Sequence, residues 1–201
     1  MARTVDPQRV AERRTAIIRA ATKLFATHGY ERTSVAQIAK AAGLSSAAVF
    51  YYFQDKPALF RAAAELSLPE HAELISRHVG RTDCLAGILA IAEGLTAEVR
   101  DPTTPGFMIE LLRRMEHDPE LTAAIASDSH RSAEALTILL RRGAERGEFD
   151  SGFPPEEVAR WILAIVDATF LNADPARPHD PRPLVRATVS RLLRPIEPEV
   201  R

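Results

Sequence analysis

RTSVAQIAKAAGLSSAAVFYYFQDKPAL, residues 32–59, is the stretch on which the architecture turns. Ser34 followed three positions later by Gln37 has the form of a capping box, in which two side chains satisfy orphan amides at the start of a short helix. Val35, Ile38, Ala39 and Ala42 make the inner face of that helix. Ala39 is small, as two helices crossing steeply over a tight turn require, and Gly43 supplies the backbone freedom for the turn. Leu44 plugs the corner, and Ser45 caps a second helix whose Val49 and Phe53 point inward at i and i+4. The pattern is a helix-turn-helix.

The outward face of the second helix shows Ser46, Ala47, Phe50 and Tyr51, with Tyr52 and Lys56 near its end. Short side chains on such a helix reach base edges in the major groove, while phenol and ammonium groups hold phosphates. Phe50, Tyr51, Tyr52 and Phe53 cannot all be buried in so short a helix. The alternative reading of that run is a hydrophobic anchor for a partner protein, which would make the chain a helical adaptor.

Outward from this segment the periodicity stays helical, with no two-residue alternation long enough for a sheet. Asp6-Pro7, Asp55-Lys56-Pro57, Thr104-Pro105, Asp118-Pro119 and Asp180-Pro181 read as helix starts, and Gly29, Gly43 and Gly147 suit helix ends. The fold class is all-α, with about nine helices. One spans residues 7–28, three short ones follow, and longer ones lie near 56–79 (kinked at Pro69), 84–100, 105–116, 119–145, 155–172 and 181–193. Residues 172–183 are too polar and proline-rich to be core and read as an exposed connection.

With 201 residues, 46% of them hydrophobic, the chain can bury a sizeable core as one domain or two small ones. Its single cysteine, Cys84, can form no internal disulfide, and no Cys/His cluster has metal-ligand spacing. His71 and His78 lie two turns apart but read as solvated histidines, so no metal is expected. The Arg-containing start has no apolar run behind it, and no stretch approaches a bilayer span. A cytoplasmic chain without a membrane partner is expected. The net charge of -1 conceals a division: residues 1–60 hold nine basic and four acidic side chains, while the remainder holds 17 and 23. A basic end of this kind suits a polyanion. No Gly-rich phosphate loop, G-x-S-x-G elbow or H-E-x-x-H pair occurs, so neither an enzyme nor a cofactor is expected.

IIRAATKLFATHGYERTSVAQIAKAAGLSSAAVFYYFQDKPALF, residues 17–60, resembles the N-terminal domain of tetracycline-repressor (TetR) family regulators nearly throughout. The match covers the first-helix A-x-x-L-F, the T-[ST]-V-x-x-I-A-x-x-A-G-[VL]-S block and the closing F-x-x-K-x-x-L. The resemblance implies a three-helix DNA-binding domain at 11–70 and a ligand-binding and dimerisation bundle at 71–201. It also implies that Thr33 and Ser34 face a phosphate, that Ser46, Ala47 and Phe50 face bases, and that Tyr51, Tyr52 and Lys56 hold the DNA backbone. Ala47 stands where the family often has glycine, and Phe50 where it often has tyrosine, which leaves the operator sequence open.

LRRGAERGEFDSGFPPEEVARWILAIVDATF, residues 140–170, is similar to a stretch of the family's regulatory domains. Between Val158 and Phe170 only Arg160 and Asp167 are charged, so more than half of that helix is apolar and needs cover beyond its own domain. With the last helix it forms an expected homodimer interface through Trp161, Ile165, Val189 and Leu192. Asp128, Ser129 and Ser132 interrupt an apolar helix face, and Phe107, Met108, Leu111 and Met115 are candidate walls for a small hydrophobic effector; a plain core with an internal polar network is the other reading. The function expected is a ligand-responsive repressor that binds a palindromic double-stranded DNA operator as a dimer, with activation by the same fold left open.

Overall fold

The computed structural model of the chain describes residues 6–174, 176–177 and 179–194. Among them are ten α-helices: α1 (Pro7–His28), α2 (Val35–Ala41), α3 (Ser46–Tyr52), α4 (Lys56–Ala64), α5 (Leu68–His78), α6 (Cys84–Leu95), α7 (Thr104–Met115), α8 (Pro119–Glu145), α9 (Pro155–Leu171) and α10 (Arg182–Leu193). None is long and apolar enough to cross a membrane.

Side-chain caps set several starts. Asp6 accepts from the Gln8 N–H, Asp55 from Ala58 at 2.7 Å and Asp83 from Ala86 at 2.8 Å, each worth about 1 kcal/mol. Three boundaries differ from the sequence expectation. Two short helices, not three, separate α1 from α4. The helix expected over 56–79 is two: α4 stops at Ala64 and α5 restarts with Pro69 in its first turn, where a missing N–H costs nothing. The helix expected over 84–100 ends at Leu95, where the Thr96 hydroxyl donates to the Glu93 carbonyl at 2.8 Å and a 3-10 turn takes over at Ala97–Arg100.

The chain forms two compact units. The first comprises the residues up to Leu66 together with Gly106–Leu121, so that most of α7 belongs with the N-terminal helices. Its core is built on α1, whose Ile17, Ile18, Ala21 and Phe25 are buried against Ile38, Val49, Phe53, Leu59 and Phe60. Phe60 makes three ring contacts, edge-on to Phe25 at 5.1 Å and to Tyr30 at 5.2 Å, and stacked on Phe107 of α7 at 5.2 Å. Gly106 permits that approach: a Cβ there would sit 2.4 Å from the Ala26 carbonyl oxygen, so α7 can lie on α1 only with glycine at the contact.

The second unit, Ser67–Pro105 with Thr122–Arg201, is organised around α6. Cys84, Ile88, Leu89, Ile91, Ala92 and Leu95 of α6 are buried, with α5, α9 and α10 against it. The G-E-F turn after α8 serves this helix. Gly147 adopts φ +69, which lets Phe149 return to the core, and Glu148 accepts the Cys84 and Leu85 N–H groups at 2.8 and 3.2 Å. A carboxylate there complements the helix dipole.

Candidate nucleic-acid interface

The helix-turn-helix forms from local chemistry. The Ser34 hydroxyl accepts the Gln37 N–H at 3.2 Å, and the Gln37 side chain accepts the Ser34 N–H at 2.7 Å, closing the capping box at the start of α2. Gly43 takes φ +67, and the Leu44 N–H donates to the Ala39 carbonyl at 2.8 Å, turning the chain into α3. The Ser45 hydroxyl accepts the Ala48 N–H at 3.2 Å. Val49 and Phe53 face inward, 1% and 4% exposed. The opposite face of α3 is open: Phe50 is 52% and Tyr51 74% exposed, Ala47 is exposed, and Ser46 and Tyr52 are half-buried.

Two residues expected to hold phosphates turn inward instead. The Thr33 hydroxyl, 2% exposed as a residue, donates to the carbonyls of Gly29 at 2.8 Å and Leu24 at 3.2 Å. Lys56 directs Nζ to the carbonyls of Tyr30 at 3.0 Å and Thr33 at 3.2 Å, and the same ammonium lies 4.1 Å from the Tyr30 ring centroid. The physical reason lies in the connection from α1 to α2: the Gly29 and Thr33 carbonyls lie outside the helices and take donors from these two side chains, and the Tyr30 carbonyl adds Lys56 to its bond from the Thr33 N–H. Exposed cations nearby are Arg9, Arg13, Arg19, Lys23 and Lys40, while Arg14 lies with its guanidinium 4.7 Å from the Phe53 ring.

Sequence reasoning missed the support from α7. Glu110, 9% exposed, accepts the Tyr30 N–H at 2.8 Å and pairs with Arg113 at 2.7 Å. Arg114 sits 4.4 Å from the Tyr30 ring, so that ring lies between two cations. Arg61 of α4 meets Asp118 at 3.0 Å. Burial alone would raise the Asp118 carboxyl, but the Leu121 N–H and the Arg61 guanidinium hold it below its ordinary value. Glu110 is 80 positions from Tyr30, and no local pattern announces such a pair.

The candidate effector residues divide between the units. Leu111 is core of the first, Phe107 is half-buried and stacked on Phe60, and Met108 and Met115 are half-buried. In the second, Asp128 lies 2.9 Å from His71 Nδ1 and accepts from Arg131 at 2.9 Å. Burial pulls the His71 imidazole down, but the hydrogen bond and charge of Asp128 outweigh it and leave it above its ordinary value. Asp128 is raised by burial and lowered more by His71 and Arg131, ending below its ordinary value. Ser132 is 2% exposed, whereas Ser129 is exposed and does not interrupt the inner face as expected. Among the described residues no buried side-chain polar atom lacks a partner. No group of three or more potential metal ligands occurs among them either.

Of the candidate dimer residues, Trp161 is 67% exposed, and Ile165 and Leu192 are half-buried. Val189 is corrected: it is fully buried inside its own unit, because α10 turns Val185, Val189 and Leu193 toward the core. On α9 and α10 the large apolar side chains left open are Trp161, Leu171 and Leu184, with a shallow depression lined by Glu157, Arg160, Trp161 and Ala164; Ile138 and Phe153 of the same unit are exposed as well.

Comparison with known proteins accords with this geometry. Residues 17–63 match the family described as bacterial regulatory proteins, tetR family, and residues 80–188 match the tetracyclin repressor-like C-terminal domain. An HTH-type transcriptional repressor of Mycobacterium tuberculosis is 27% identical over 180 residues, covering 90% of this chain and 91% of the relative. Among solved structures, the TetR-family regulator PfmR of Thermus thermophilus superposes with a TM-score of 0.78 at 26% identity, over 90% of this chain and 99% of that one. AibR, solved with isovaleryl coenzyme A and operator DNA, gives 0.75 at 20% identity, over 92% and 100%, a likeness of fold.

Proposed function

The chain belongs to the TetR family of bacterial regulators, and from that premise we propose that it is a repressor that binds a palindromic operator as a homodimer and releases it when a small, largely apolar effector binds. The observation that carries the DNA-binding reading is the open face of α3. Ala47, Phe50 and Tyr51 project from a helix locked behind by Val49 and Phe53 and aimed by the Gly43 turn. That face, rigid and carried on a unit with exposed Arg9, Arg13 and Lys40, fits the major groove with phosphates on either side. The protein-adaptor alternative is disfavoured by that surplus of cations.

In this reading Ser46, Ala47 and Phe50 meet bases, and Tyr51, Tyr52 and the Ser34 end of α2 meet the backbone. Lys56 and Thr33 act behind them by holding the loop on which α2 rests. Dimerisation is supported by the exposure of Trp161, Leu171 and Leu184 on α9 and α10, since apolar side chains of that size seek cover. An apolar effector is supported by a regulatory unit whose buried side-chain polar atoms, among the described residues, are already paired, and the isovaleryl group of the ligand in the AibR complex is apolar too, although its coenzyme A part is charged. The chain's work is binding rather than turnover.

Selection of duplexes from a random pool tests this directly. A palindrome with half-sites about 34–36 Å apart is expected, bound with an affinity that falls as salt rises. Recovery of no palindrome, or binding indifferent to salt, overturns it.

A further inference from the structure

The recognition helix lacks the side chains by which proteins usually read base edges. α3 is SAAVFYY: it contains no Arg, Lys, Asn or Gln, the residues that make two-pronged hydrogen bonds to guanine or adenine. The amides nearest α3 lie outside it: Gln54 follows its end, and Gln37 of α2 has its Oε1 held in the capping box with Ser34. Lys56 is turned to the Tyr30 and Thr33 carbonyls. Besides the hydroxyls of Ser46 and Tyr51, what α3 offers a groove is carbon, from the exposed methyl of Ala47 and the ring of Phe50, which is 52% exposed. The two lie three positions apart and so share one face of the helix. Of the four bases only thymine displays an apolar group in the major groove, its C5-methyl.

Resting on the DNA-binding reading above, we propose that Ala47 and Phe50 read thymine C5-methyl groups, so that operator half-sites are selected for thymine where these two side chains meet the groove. On the face of α3 assigned to bases, the hydrogen-bonding group is then the Ser46 hydroxyl. The phenylalanine has a purpose on this account. A hydroxyl at the ring's end would have to find a partner against a methyl, whereas a plain ring excludes water from it.

The test uses the full chain and an operator recovered by selection. Each thymine of a half-site is exchanged in turn for deoxyuridine, which removes the methyl and leaves every hydrogen-bonding group in place. One or two positions are expected to lose about fourfold in affinity, the ratio that corresponds to one buried apolar carbon. In Phe50→Ala the loss at its position should vanish while the salt dependence is unchanged. Phe50 is exposed and outside the core, so this variant is expected to melt like the parent. Two results overturn the proposal alone: specific binding indifferent to every exchange, or a penalty that persists in both Phe50→Ala and Ala47→Gly. Failure to select any duplex removes the DNA-binding reading and this proposal with it.

Discussion

Lys56→Ala is expected to lower the unfolding free energy by about 1.5 kcal/mol, the low end for a charged hydrogen-bond donor because the side chain is half-buried. The Thr33 carbonyl loses its side-chain donor, the Tyr30 carbonyl keeps only the Thr33 N–H, and the Tyr30 ring loses one of its two cations. Urea unfolding measures the cost, and a midpoint unchanged from the parent would show that the ammonium is dispensable to the fold. The weakening of DNA affinity should then be the same for all sequences, since the variant loosens the base of α2 and touches no base. Lys56 and Thr33 also mark where sequence reading reached its limit. Their residue types suit phosphate contacts, and the carbonyls that claim them belong to a loop whose shape no short-range pattern specifies. Ser34, Gln37, Gly43, Ser45, Val49 and Phe53 were legible because each acts on a neighbour within about four residues, by rules of capping and helix spacing.

At the scale of the element, α9 and α10 give a matched pair of variants. Val189→Asp puts a charge into a site with no exposure and should cost on the order of 3–5 kcal/mol, unfolding the second unit instead of dividing a dimer. Trp161→Glu changes an exposed side chain of α9 and should yield a folded monomer with weakened operator binding. Light scattering combined with circular dichroism separates the outcomes, and a folded dimer from Trp161→Glu rejects the interface. The apolar composition of α10 was readable, but which side faces inward was not, because five apolar residues spread around twelve leave the rotation to tertiary contacts. The α5 to α8 pairing adds a dependence on pH. His71 is raised in the fold, so its contribution is whole below the unfolded imidazole value, about 6.5, and fades as pH rises through the folded value. Asp128 is lowered, so its contribution is whole above the unfolded carboxyl value, about 3.9, and fades as pH falls below it. His71→Gln should therefore cost more melting temperature near about pH 6 than near about pH 8.5. Equal losses at both would mean that the pair is held without charge.

For the whole molecule, the basic surplus of residues 1–60 predicts where affinity is generated. Arg9 and Arg13 are exposed one helical turn apart on α1, ahead of the stretch that matches the family. If both meet phosphates, Arg9→Gln with Arg13→Gln should reduce the slope of log affinity against log salt by about 0.9 for each phosphate left unneutralised, on each subunit. An unaltered slope would place the DNA away from α1. The all-helical architecture was readable from its prolines, glycines and periodicity, whereas the return of α7 to the first unit was not. That return has a consequence for how such a gene can be recombined. The first unit is assembled from two separated runs of chain, one ending at Leu66 and one at Gly106–Leu121. Phe60 borrows Phe107, the Tyr30 amide borrows Glu110, and Arg61 borrows Asp118. A cassette cut after Leu66 would carry every base-reading residue into a chimera yet leave half of its own foundations behind. The reading head is therefore heritable only with a graft of Gly106–Leu121, and a crossover between relatives succeeds when both segments come from the same parent.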